Sequence, residues 1–432
     1  MTAGPTVASG GRTPSNRPRK SFYAKLKPGP GHSSHEVRAD QRARLFAAVI
    51  ELTAERGYDG LTVRGISRTS GVSTRTFYVH FANVEECFAA TYRSIMRWVA
   101  EQLAEATATS RDRGAALRTW IQVLVDSAAA DPQAARMALI DCYDGGPAML
   151  REIETATAGV ERQVAAGPDD FPQTLGLAIV AGVERVLRTK VLEGRAGELP
   201  LTEGDLANWV DSVDALEAIP PSDLPSRPPK RRLPPRAGQK DPGFAAFEAI
   251  GGDRGRILAA VAKLSLTNGF WALNLPDIRR EAGVSRRQLD TLYGGVTDCY
   301  LDAIETLTVA AACRAVQAGE AGSTWRDRVE RISDRFCTEL ASSPLLARLG
   351  FIDIFATGSA GLRCRERLIT RAAESLRREA PRADRKAELA AVASISACWR
   401  LVQTELVTTG SSRDAPSFLT RLVLQDQTMS QV

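Results

Sequence analysis

Residues 61–81 read L-T-V-R-G-I-S-R-T-S-G-V-S-T-R-T-F-Y-V-H-F, and the spacing predicts two short helices joined by a tight turn. Thr62 is placed to cap the first helix, which turns Val63 and Ile66 inward. Gly71 supplies a left-handed backbone at the corner. Ser73 caps a second helix that buries Phe77 and Phe81. The result is a helix-turn-helix. Burial of the two phenylalanines leaves Thr74, Arg75, Thr76 and Tyr78 facing outward. These groups suit a major groove: arginine can bond guanine O6 and N7 together, while hydroxyls and a phenol reach phosphates or base edges.

Upstream, Leu45, Val49 and Leu52 keep the i, i+4, i+7 spacing of an amphipathic helix that stops at Gly57. Longer helical patterns follow through residues 85–105, 115–130, 174–193 and 204–217, with almost no strand-like alternation. The expected fold class is all-α.

The chain repeats itself. At a constant offset of 212 without gaps, residues 42–88 match residues 254–300 at 16 of 47 positions, among them Arg42, Arg44, Val49, Gly57, Leu61, Ile66, Gly71, Val72 and Ser73. A fainter echo links residues 178–194 with residues 393–410. Between the copies, residues 219–243 hold eight prolines and carry six basic side chains against two acidic ones, which favours an extended, semi-stiff spacer. Residues 1–36 are rich in Gly, Pro and Ser and carry six basic side chains against Glu36. The chain's net charge of +5 therefore sits in these two segments and leaves the remainder slightly acidic. Such segments either keep a chain soluble or bind a polyanion.

The expected organisation is a disordered basic arm (1–36), a first helix-turn-helix domain (37–91), a first helical regulatory domain (92–218), the linker (219–243), a second, degenerate helix-turn-helix domain (244–303) and a second helical regulatory domain (304–428). The 432 residues suit two domains or more, and 44% hydrophobic with 25% charged residues excludes wholesale disorder. No run approaches the length of a membrane span and no secretory signal is visible, so a cytoplasmic location is expected. Seven scattered cysteines form no C-x-x-C pair, and neither a disulfide framework nor a zinc site is expected. Cys87 and Cys299 are read as buried, inert thiols before a redox switch.

From Gly57 through Phe81 the sequence resembles the TetR family of bacterial transcriptional regulators, whose signature is similar to G-x-x-x-L-T-V-R-x-I-A-x-x-A-G-V-S-x-x-T-x-Y-x-H-F. The resemblance implies, in each half, an N-terminal three-helix DNA-binding unit followed by a helical ligand-binding and dimerisation domain. It implies that Arg64, Thr74, Arg75 and Thr76 contact bases of double-stranded DNA, with Thr62 and Ser73 beside them at the helix starts. Tyr78 and His80 stand where the family contacts phosphates, as does Val84, where lysine is common in the family. Ser67 and Ser70 replace the usual alanines.

The second copy, residues 273–293, keeps the buried positions and the Gly283-Val284 turn, and Ser285 with Gln288 forms a capping box. Its surface differs: Pro276, Asp290 and Leu292 replace Arg64, Tyr78 and His80. A carboxylate facing phosphate is repulsive, yet Arg279, Arg280, Arg286 and Arg287 keep the patch basic. Two readings stand: a weakened or repurposed head, and a working head with another base preference that uses Arg286 and Arg287.

Family members dimerise through their last two helices. Here the helices at 174–193 and 388–409 carry the small residues Ala178, Ala181, Gly182, Ala393, Ser394 and Ala397, so an intrachain pseudo-dimer with an asymmetric operator is expected, against two independent beads. A small-molecule effector is implied by the resemblance, and the first-half candidates for its site are Trp120, Met137, Tyr143 and Trp209; Trp325, Phe336, Phe351 and Phe355 are their second-half counterparts. Residues 142–147 break a helix and could rim its entrance. No catalytic constellation or cofactor motif appears among the three histidines or elsewhere, so the chain is read as a ligand-responsive repressor and not an enzyme. The alternative is a helical scaffold that binds small molecules or proteins with little DNA binding. Deleting residues 1–36 should flatten the dependence of log K on log salt for DNA binding; an unchanged slope would exclude a role of the arm on DNA.

Overall fold

The structure, a computed structural model, describes residues 33–166, 173–214, 241–377 and 385–408, and among these there is no strand. The first half comprises α1 (Ser34–Arg56), α2 (Val63–Ser70), α3 (Thr74–His80), α4 (Val84–Thr109), α5 (Arg113–Ala130), α6 (Pro132–Leu139), α7 (Gly146–Ala165), α8 (Gln173–Leu192) and α9 (Glu203–Asp214). The second comprises α10 (Phe244–Ile250), α11 (Gly252–Asn268), α12 (Leu275–Ala282), α13 (Arg286–Leu292), α14 (Val296–Gly319), α15 (Trp325–Ser342), the single turn α16 (Pro344–Leu346), α17 (Ser359–Arg377) and α18 (Arg385–Thr408). No single helix among the described residues is long and apolar enough to cross a membrane.

Several expected boundaries move. The arm is expected to run to residue 36, yet α1 begins at Ser34, where Ser33 and Glu36 form a capping box that satisfies the first free amides; His35 therefore lies in a helix. The expected domain edges at 91/92 and 303/304 fall inside α4 and α14, continuous helices that leave each helix-turn-helix and run into the body. The linker is expected to run to residue 243, but Asp241 is buried and accepts bonds from Ser343 Oγ at 2.5 Å and Leu345 N at 2.8 Å, which fastens the end of that segment to α16. The rest of the arm and linker, residues 167–172 and the C-terminal stretch from 409 lie outside the described residues.

The apolar residues divide unevenly. Leu45, Val49, Ile66, Phe77 and Phe81 form a core with Met137 of α6 and with Met149 and Ile153 of α7, distinct from the main core. The core of the second helix-turn-helix, with Ile278 and Leu289, is continuous with the main core of both halves. The first head is thus a separate packing unit set on the body through α4, α6 and α7, whereas the second is fused to it.

The two halves meet along α8 and α18, the most extensive helix pairing among the described residues. Small side chains permit it. Ser396 Oγ donates to the Ala181 carbonyl at 3.3 Å, and the Trp209 ring reaches Gly182, where any Cβ would collide with it. Trp209 Nε1 also donates to Ser394 Oγ across the seam at 3.1 Å.

Candidate nucleic-acid interface

The first elbow is built by local hydrogen bonds that the sequence supplies. Thr62 Oγ1 accepts from Gly65 N at 3.0 Å and Ser73 Oγ from Thr76 N at 3.1 Å, so each helix starts on a capped amide. Gly71 sits at φ 65°, ψ 21°, a left-handed corner that a side chain would strain. The serine that stands in place of alanine at position 70 tightens this corner: its hydroxyl donates to Ser67 O at 3.3 Å and accepts from Val72 N at 3.2 Å. Arg44 Nη1 donates to Ser70 O at 3.2 Å, closing the end of α2 from outside. Phe77 is wholly buried and Phe81 nearly so, which anchors one face of α3.

The opposite face is open. Arg64, Thr74, Arg75 and Tyr78 are exposed, the phenol at 58% of its full accessibility. Arg64 and Arg68, with Arg56 nearby, border a shallow hollow floored by Gly65, Ser67 and Gly71. Among the described residues no carboxylate lies within ion-pair distance of Arg64, Arg68 or Arg75, and residues 61–81 contain no acidic side chain at all. Thr76 is half-buried and its hydroxyl lies 2.8 Å from Ser73 Oγ, so it acts first within the helix start. His80 is also half-buried. Burial, then Arg42 and Arg38, lower its pKa, so it is neutral at pH 7 and its Nε2 donates to Gln41 Oε1 at 2.9 Å, tying the end of α3 to α1.

The second elbow has the same geometry with different electrostatics. Asn274 caps α12, Gly283 turns at φ 62°, ψ 38°, and Ser285 with Gln288 makes the expected capping box. Two of its four arginines, Arg280 and Arg286, are answered by carboxylates, whereas Arg279 and Arg287 are exposed and make no ion pair among the described residues. Arg280 pairs with Asp277 at 2.6 Å, Arg286 with Asp290 at 3.3 Å, Arg256 with Asp253 at 2.6 Å, and Lys263 with Glu281. Residues 273–293 thus carry a net +1 where residues 61–81 carry +3. Arg287 remains exposed, and Leu292, an alkyl group at 44% accessibility, stands where the first head has His80.

The effector candidates separate. Trp120 and Tyr143 line a hollow of about 100 Å³ between α4, α5, α7 and α8. Met137 does not: it packs, wholly buried, in the core of the first head. Trp209 does not either, because its ring fills the seam at Gly182. In the second half Phe336 and Phe351 line a larger cavity, while Phe355 stacks on Tyr143 at the junction of the halves, 5.3 Å between centroids. Burial pushes the Cys87 and Cys299 thiols up to about 12, so both are protonated at neutral pH.

Three residues act in the first head in ways the sequence does not reveal: Arg44, Ser70 and Arg42, whose guanidinium lies 5.0 Å from the Phe81 ring centroid. The signal was available in part, since Arg42 and Arg44 recur as Arg254 and Arg256 in the second copy.

Residues 45–91 match the family described as bacterial regulatory proteins, tetR family. The span covers α1 from Leu45, the whole elbow and the start of α4, so the unit assembled above is of the DNA-binding type found in those regulators. Solved structures with partial likeness include the fatty acid degradation regulator FadR from Bacillus halodurans, 15% identical over 40% of this chain and 98% of its own, TM-score 0.36. FadR from Bacillus subtilis in complex with stearoyl-CoA is 17% identical over 40% and 98%, TM-score 0.36. A TetR family transcription regulator from Marinobacter aquaeolei VT8 is 17% identical over 40% and 97%, TM-score 0.32.

Proposed function

We propose that this chain is a sequence-specific, ligand-responsive transcriptional repressor that reads double-stranded DNA with its first helix-turn-helix. The observation that carries this reading is the exposed, carboxylate-free face of Arg64, Thr74, Arg75 and Tyr78 on a capped, rigid elbow. Inserted in a major groove, that face offers guanidinium donors to guanine and hydroxyls to base edges or phosphates. Thr62, Ser73 and Thr76 hold the helix starts, and His80, neutral and bonded to Gln41, sets the angle of α3 against α1.

The two halves act as tandem TetR-like units, joined along α8 and α18 as an intrachain pseudo-dimer. The repeated sequence, the repeated elbow and the small-residue seam support this. The second head serves as scaffold. A guanidinium already held by a neighbouring carboxylate has less to gain from a phosphate, and Asp290 repels one. The preferred operator is therefore one half-site flanked by unread DNA.

The test is selection of duplexes by the purified full chain, followed by fluorescence anisotropy on the recovered site at fixed salt. A recovered motif with one half-site is expected. Replacing Arg286 and Arg287 together with alanine should weaken binding less than about threefold, the scale of one or two screened phosphate contacts. A loss of tenfold or more, or a palindromic motif whose second half depends on Arg287, would make the second head a reader.

A further inference from the structure

In the second half, α14, α15, α17 and α18 enclose a cavity of about 540 Å³. Sites for small organic ligands run to roughly 300–1,000 Å³, so this space has the size that the hollow of about 100 Å³ in the first half lacks. An empty apolar void forfeits packing contacts along every wall. Ile332, Phe336, Leu368 and Ile395 are among its apolar wall residues.

Two wall residues carry polar atoms with no partner. Trp399 Nε1 and Thr308 Oγ1 are both inaccessible to water and without a hydrogen bond, on residues 7% and 4% exposed. Buried polar groups are bonded in the great majority of cases. Both residues border the same turn: Trp399 stacks on Phe351 at 4.2 Å, and Thr308 Oγ1 would lie 3.3 Å from a Cβ built on Gly350. Side-chain rotation toward the adjoining cavity would give each donor a ligand acceptor. The mouth is formed by exposed Cys313 and Gln317 of α14 and by Arg371 and Glu374 of α17. Arg371 is already paired with Glu305, so the rim presents no uncompensated positive charge to an anion.

We infer that this cavity binds a neutral, predominantly apolar small molecule with at least one hydrogen-bond acceptor, such as a ketone or ester carbonyl, anchored by Trp399 and Thr308. At ~30 Å³ for each water-sized group, the volume admits a ligand of roughly 15–20 non-hydrogen atoms. This deepens the ligand-responsive part of the function proposed above by placing the effector site in the half that does not read DNA, and its test needs no DNA.

The probe is prodan, a neutral naphthalene ketone of about that size whose emission shifts blue in apolar surroundings. Titrated against the full chain, it should bind saturably at one site per chain. Ala312→Trp, which fills the lumen from α14, should abolish that binding while circular dichroism and melting stay close to wild type. Ala372→Phe, filling from α17, provides a second variant if the first misfolds. Thr308→Val, nearly isosteric, should weaken binding roughly three- to tenfold through loss of one hydrogen bond. Absence of saturable binding, or equal binding by both filled variants, would overturn the site. An unchanged affinity in Thr308→Val and Trp399→Phe together would overturn the polar anchors. Binding that emerges only after removal of residues 409–432 would mean that this segment is the occupant, which also overturns the proposal. Failure of operator binding in the anisotropy experiment, with prodan binding intact, would sink the DNA reading and leave the site standing.

Discussion

Arg75→Ala should cost the full chain about 1–3 kcal/mol on its selected operator, a weakening of roughly 5- to 150-fold, because one bidentate contact to a base edge is of that size. On random duplex the same substitution removes only one positive charge, so the salt slope should fall by about 1. The two effects separate specific from general loss. Arg75→Lys discriminates further: it keeps the charge but not the planar fork, and should resemble alanine on the operator and wild type on random DNA. Arg75 is exposed and makes no ion pair among the described residues, so unfolding free energy should stay within about 0.5 kcal/mol. Operator affinity that survives both substitutions would remove α3 from the base edges and with it the proposed function.

The first head was legible in advance because its determinants are local. A capping threonine, a corner glycine, a capping serine and two phenylalanines lie within 21 residues, and each acts on neighbours three or four positions away. Helix α7 was missed for the same reason in reverse: Gly159 and the threonines at 155 and 157 dilute its apolar period, and its inward face is set by α4 and α8. The errors over Met137 and Trp209 share one cause. A large apolar side chain on a helix looks alike whether it lines a cavity or fills a seam, and only the partner decides: the core of the first head for Met137, Gly182 and Ser394 for Trp209. Trp209 had a readable clue in the small residues of α8, which leave a trough that some bulky group must fill.

The group least legible in the sequence lies between the halves. Arg185 and Arg188 follow the apolar stretch 175–183 of α8, and Arg365 and Glu366 sit side by side on α17. Nothing local says that all four are at most 6% exposed. Docking of the halves brings Glu366 against three guanidiniums: it pairs with Arg185, with Arg188 at 3.2 Å and with Arg365 at 2.8 Å. Arg188 Nε also donates to Leu139 O at 2.9 Å, which fastens the cluster to α6 beside the core of the first head. Arg365 lies 5.8 Å over the Trp399 ring on the cavity wall. Burial lowers Arg185 and Arg365 to about 9, so both stay protonated at pH 7 and their charge has to be met inside.

Glu366→Gln should therefore lower the unfolding free energy by about 3–5 kcal/mol, the usual result of stripping one partner from a buried pair and leaving the other charge unanswered. Urea denaturation at pH 7 gives the measurement, read as a lower transition midpoint at unchanged slope. Desolvation opposes such clusters as strongly as attraction favours them, so the triple variant Arg185→Met, Arg365→Leu, Glu366→Leu should regain most of the loss, with Arg188 still held by Glu184 at 3.2 Å. A Glu366→Gln protein within about 0.5 kcal/mol of wild type would mean that the halves are not packed together as described, since an opened seam lets water solvate these charges.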